Sequence, residues 1–158
     1  MEINFLALLA AAASTLVVGF IWYNPKVFGT IWMQESGMTE EKMKGANMPM
    51  IFGLSVVYAF FIAFILQFLT IHQYGVFGLV EGNVNDPLFI SMMETHGNAF
   101  RSFGHGALHG FMAGLLLALP LIATNSLYER RSWKYSLVTG GFWIVCFIIM
   151  GGIICAWK

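Results

Sequence analysis

"INFLALLAAAASTLVVGFIWY", Ile3 to Tyr23, contains no Asp, Glu, Lys or Arg. A helix rises 1.5 Å per residue, so about 20 apolar residues cross the ~30 Å of a bilayer's hydrocarbon core. Three more uncharged runs of similar length follow, Ile51 to Ile71, Phe103 to Leu127 and Tyr135 to Trp157. In lipid every backbone N–H and C=O must find its partner within the segment, which makes each run a helix. The expected fold is all-α. It is a four-transmembrane-helix bundle forming one membrane domain over 1–158, with spans near 3–23, 51–71, 103–127 and 135–157. The first run lacks the Lys/Arg-rich lead of a secretory signal and is read as a retained helix.

Composition agrees. Of 158 residues, 58% are hydrophobic and only 10% charged, with a mean hydropathy of +0.74; soluble domains carry roughly 25% charge. Eight basic residues balance eight acidic ones, so no net field recruits nucleic acid. The partner expected is the lipid bilayer. Lys26, Lys42 and Lys44 lie in the first loop and Arg130, Arg131 and Lys134 in the third, against Arg101 and Lys158 on the other side. The positive-inside rule then predicts a multi-pass protein with both termini outside.

The loops carry their own signals. Asn24 and Pro25 suit the cap and first residue of a helix, and Val27, Phe28, Ile31 and Trp32 line one face of it. Such a helix lies flat on the interface and stops at Gly37. By this reading Trp22 to Pro25 is an aromatic belt and hinge rather than a pocket. A second short helix is predicted from Thr39. Asp86-Pro87 predicts a surface helix in the second loop, with Leu88, Phe89, Met92 and Met93 on its apolar face. Gly106, Gly110, Gly114 and Ala118 recur every four residues. Small-residue ridges join helices in lipid, which predicts a crowded third span and a homo-oligomer. Pro120 predicts a modest bend.

Candidate chemistry concentrates on histidine. His105 and His109 stand one helical turn apart; Glu94 and His96 lie just upstream, and His72 leaves the second span on the same side. Imidazoles with a carboxylate suit a divalent transition metal. The competing reading is that each ring bonds a carbonyl or water near the interface. Haem fits less well, because only His72 lies off the third span and its lead-in. On the opposite side Arg130, Arg131 and Lys134 form a candidate site for an anion or lipid headgroup. No acid or base lies near the centre of any span, where only Gln67, towards the outer part of the second, and small hydroxyls are polar, and this weighs against proton-coupled transport. Cys146 and Cys155 share one span about 13 Å apart, too far to bridge.

"WYNPKVFGTIWM", "HGALHG" and "LPLIATNSLYERRSWK" together resemble the bacterial domain-of-unknown-function family numbered 1761. Trp22, Tyr23, Pro25, Phe28, Gly29, Trp32, His109, Gly110, Glu129, Arg130 and Trp133 match its typical positions. The resemblance implies a small four-helix protein of the bacterial inner (cytoplasmic) membrane and implies no activity. The functional expectation is therefore a non-enzymatic membrane protein holding a metal or small ligand at the outer end of the bundle. A small membrane transporter or channel is the alternative, and a membrane-embedded enzyme acting on a lipid or thiol ligand comes third.

Overall fold

Each long helix begins where a side chain accepts one of the N–H groups that the first turn leaves unpaired. Asn4 accepts from the Ala7 N–H, Asn47 from Met50, Ser102 from His105 and Ser132 from Tyr135. The computed structural model describes residues 2–158. In chain order the helices are α1 (Phe5–Trp22), α2 (Thr30–Ser36), α3 (Glu40–Lys44), α4 (Met48–Thr70), α5 (Gln73–Leu79), α6 (Pro87–His96), α7 (Phe103–Ala113), α8 (Leu119–Tyr128) and α9 (Trp133–Ala156). No strand occurs among the described residues. Four helical stretches are long and apolar enough to cross a membrane: α1, α4, the continuous α7–α8 and α9.

Several boundaries differ from the expected ones. The second span starts at Met48 rather than near residue 51, because Asn47 caps it and Pro49 fits its first turn. A wide π turn, Gly114–Ala118, joins α7 to α8, and the Leu119 N–H reaches back to the Gly114 carbonyl. Pro120 has no N–H, and its ring crowds the carbonyl four residues back. The expected bend is therefore taken up as one loosened turn. The first loop follows expectation: Asn24 caps Pro25–Gly29, Gly37 ends α2 at φ 67°, and Thr39 caps α3. Helix α5 was not foreseen.

The core forms around α9. Cys146, Phe147, Met150 and Ile154 pack with Leu8, Ala11, Ala63 and Leu66. Against α7 the approach is backbone to backbone. A Cβ on Gly106 would lie 2.1 Å from the Gly151 carbonyl oxygen, and one on Gly110 would lie 2.0 Å from that of Phe147. The small-residue ridge of the third span is thus occupied within the chain. Helix α4 is held differently. It buries Ala59, Ala63, Leu66, Gln67 and Thr70, all in its second half, and no residue from Met48 to Tyr58 is buried.

That uneven burial opens a groove of about 710 Å³ between α1, α4 and α9. Tyr23, Asn24 and Pro25 line it with Gly19, Ser55 and Trp143. The Trp22–Pro25 stretch therefore borders a cavity as well as turning the chain. Trp22 fixes that turn by donating its Nε1–H to the Val138 carbonyl at 3.0 Å.

Candidate metal centre

Helix α4 ends as the Ile71 N–H bonds the Gln67 carbonyl, and His72 follows directly. The next residue, Gln73, is only 6% exposed. Its Nε2 donates to the carbonyls of His96 at 2.9 Å and Ala99 at 3.0 Å. That pair of hydrogen bonds holds the chain after α6 against the end of the bundle. Arg101 fastens the same segment to the last turn of α9, donating from Nε to the Cys155 carbonyl at 2.8 Å and from Nη2 to that of Trp157. Between these anchors Phe100 takes a left-handed φ of 63°. Ser102 then starts α7, which carries His105 and His109 on successive turns.

Gly106 and Gly110 commit one face of α7 to α9, and the histidines one position earlier meet His72 instead. The Nε2 atoms of His72 and His105 lie 2.8 Å apart. Ring centroids are separated by 4.9 Å for His72–His105, 5.0 Å for His72–His109 and 4.6 Å for His105–His109. One nitrogen from each ring falls within 4.8 Å of the other two. His72 is exposed and the other two are partly buried. The Phe100 ring covers the group, 5.0 Å from His105 and 5.7 Å from His72.

Three imidazoles from two chain segments form a set of the kind that holds zinc and related ions at about 2.0–2.1 Å. A tetrahedral ion at that distance needs its nitrogens about 3.3 Å apart. The 2.8 Å pair is nearer than that and the whole group lies within 4.8 Å, so the observed spacings bracket the one an ion needs. Three ligands leave a fourth position open for water or a ligand.

Not every candidate joins. Glu94 and His96 are exposed on α6 and lie outside the group of three. Closeness in sequence did not carry over, because the turn at residues 97–102 separates α6 from α7. His96 instead borders a second cavity, of about 280 Å³, which His72 also lines. At the other end of the bundle Arg131 is engaged. Its Nη1 donates to the Ser36 carbonyl at 2.7 Å, its Nε pairs with Glu129 at 3.4 Å, and it stacks on Tyr135. Ser132 donates to the Glu35 carboxylate beside it. These bonds lash α2 to the start of α9; Arg130, Arg131 and Lys134 are all exposed. Residues that the sequence did not single out are Phe100 and Gln73. Gln73 adjoins a candidate histidine, whereas no local pattern marks Phe100.

A chain built as four apolar spanning helices, with short helices in its loops, is an integral membrane protein. It belongs to the family described as protein of unknown function (DUF1761), whose model matches residues 6–155. No curated protein and no solved structure matches it.

Proposed function

We propose that this protein binds a divalent transition-metal ion through His72, His105 and His109. The observation that carries the proposal is the mutual reach of the three rings, each offering a nitrogen within 4.8 Å of the others. Neutral imidazole is the form that ligates, and the existing 2.8 Å contact requires that at least one ring be unprotonated at Nε2. Two ligands are fixed by α7 and the third hangs at the α4–α5 corner, so the ion would bridge two spans. The exposed edge of His72 leaves the centre open to exchange, which suits reversible capture of an ion. With the basic loops in the cytoplasm, the centre faces the outer side of the membrane. In a bacterial cell that membrane is the inner one. Self-association remains part of the proposal. Its surface is the unburied half of α4, since the glycine ridge of α7 is used within the chain.

The test is cobalt titration of the detergent-purified full-length protein. Expected is one Co(II) per chain with the intense visible absorption of a tetrahedral site, abolished in the doubly substituted His105→Ala/His109→Ala protein. A wild-type protein that takes up no stoichiometric Co(II) or Zn(II) sinks the proposal.

A further inference from the structure

The groove between α1, α4 and α9 stops halfway across the membrane. Its lining includes Thr15 of α1, Tyr58 of α4 and Trp143 of α9, each close to the middle of its helix, and reaches Pro25 and Met48 at the loop end. Every lining residue of these helices lies in the half nearer the basic loops. From Met48 to Tyr58 the helical rise is about 15 Å, half of the ~30 Å hydrocarbon core. The groove therefore spans one leaflet, the one that meets the first and third loops. Its volume of about 710 Å³ falls within the roughly 300–1,000 Å³ of sites that hold small ligands. The small polar side chains in its wall are turned to their own chain. Thr15 Oγ1 donates to the Ala12 carbonyl at 2.7 Å and Ser55 Oγ to that of Ile51 at 2.8 Å, while Asn24 Oδ1 accepts the Lys26 N–H at 2.9 Å. Aromatic and aliphatic groups make up most of the rest.

Apolar walls within a membrane span face acyl chains, and a depth of one leaflet is the length of one such chain. At the mouth Lys26 directly follows Pro25; it is exposed and carries no salt bridge among the described residues. Lysine at a membrane surface attracts anionic headgroups. We propose that the groove binds an anionic phospholipid from that leaflet, with one acyl chain lying along α4 and the phosphate held beside Lys26. Met50, Leu54 and Val57 are exposed and stand outside the lining, so the same half of α4 keeps a second surface for self-association. The lipid site does not depend on the histidine trio, which lies at the opposite end of the bundle.

The experiment is native mass spectrometry of the delipidated full-length protein in detergent, with phosphatidylglycerol and phosphatidylcholine added separately. Expected is one phosphatidylglycerol retained per chain, about fivefold more tightly than phosphatidylcholine, the factor that one lysine near the surface supplies. Lys26→Gln should remove that preference and leave the phosphatidylcholine affinity unchanged. A Cβ on Gly19 would meet nothing nearer than the Phe142 ring at 3.7 Å. Gly19→Leu should therefore fill the groove without shifting backbone, and abolish retention of both lipids. Ser55→Leu blocks the groove from α4 and covers the case in which Gly19→Leu does not fold. Gly53→Leu, outside the lining and with open space around it, should retain lipid as the wild type does. Equal retention of the two lipids by the wild type, retention unchanged by the blocking substitutions, or equal loss in Gly53→Leu overturns the proposal. So does a lipid-free dimer, which would put a second copy of the chain in the groove.

Discussion

His72 Nε2 and His105 Nε2 meet at 2.8 Å, although one residue closes a membrane-spanning helix and the other opens the next. At that distance one ring donates and its partner accepts, so the contact exists only while the pair lacks a full complement of protons. Metal ligation makes the same demand on all three rings. Protons compete with a metal for imidazole nitrogen, so Co(II) uptake should fall as the solution is acidified. Absorption during an acid titration reads this directly. Affinity that does not fall on acidification would show that the imidazoles are not the ligands.

Glycines give opposite outcomes according to what faces them. A Cβ at position 110 would press on the Phe147 carbonyl at 2.0 Å, whereas at position 53 nothing among the described residues lies within 4 Å. Gly110→Ala should force α7 off α9 and destabilise by about 1–3 kcal/mol, as overpacking does. Gly53→Ala should be neutral or stabilise by about 0.5–1 kcal/mol through helix propensity. Thermal midpoints in one detergent compare the two, and equal midpoints would contradict the observed packing.

Arg101 closes the C-terminus of α9 by bonding the carbonyls of Cys155 and Trp157. Hydrogen bonds from charged donors are worth about 1.5–3 kcal/mol when lost. Arg101→Gln should lower the thermal midpoint and speed amide exchange over the last turn of α9, while leaving α1 unchanged. Exchange rates indistinguishable from wild type would mean the bonds contribute nothing in solution.

Helix α8 ends in a Schellman motif. The Arg131 N–H reaches the Ser126 carbonyl at 2.8 Å and the Arg130 N–H reaches that of Leu127 at 3.1 Å. Arg130 holds the position that glycine usually fills, at φ 53°. Left-handed backbone costs a non-glycine residue roughly 1–2 kcal/mol. Arg130→Gly should therefore raise the thermal midpoint, and a lowered midpoint would indicate that the arginine side chain makes a contact worth more than that strain.

The four spans were legible because hydropathy over about 20 residues is a long-range average that no single residue can spoil. His105 and His109 were legible as a pair because helical periodicity fixes their spacing. His72 was legible only as a residue on the same side. Its contact with His105 depends on how Gln73 and Arg101 pin the segment between α6 and α7, which no periodicity encodes. Glu94 and His96 were drawn towards the trio by nearness in sequence alone. Helix α5 escaped notice because "QYGVFGL" contains two glycines and no side-chain cap. The π turn escaped because it is Pro120's neighbours, not Pro120 itself, that loosen.

The glycine seam settles which parts of the molecule stay still. With α7 pressed backbone to backbone against α9, His105 and His109 form a fixed jaw. His72 rides on α4, a rod of about 34 Å by its rise per residue, gripped along only one half of its length. The rod's free half borders the groove beside Tyr23, and its gripped half ends at the histidine. The molecule is therefore clamped at the end that carries the three rings and loose at the other, so displacement of α4 near Met48 should leave His72 in place. Spin-label distances from α4 to α9, measured at both ends with and without bound metal, should be broad near Met48 and narrow near Thr70.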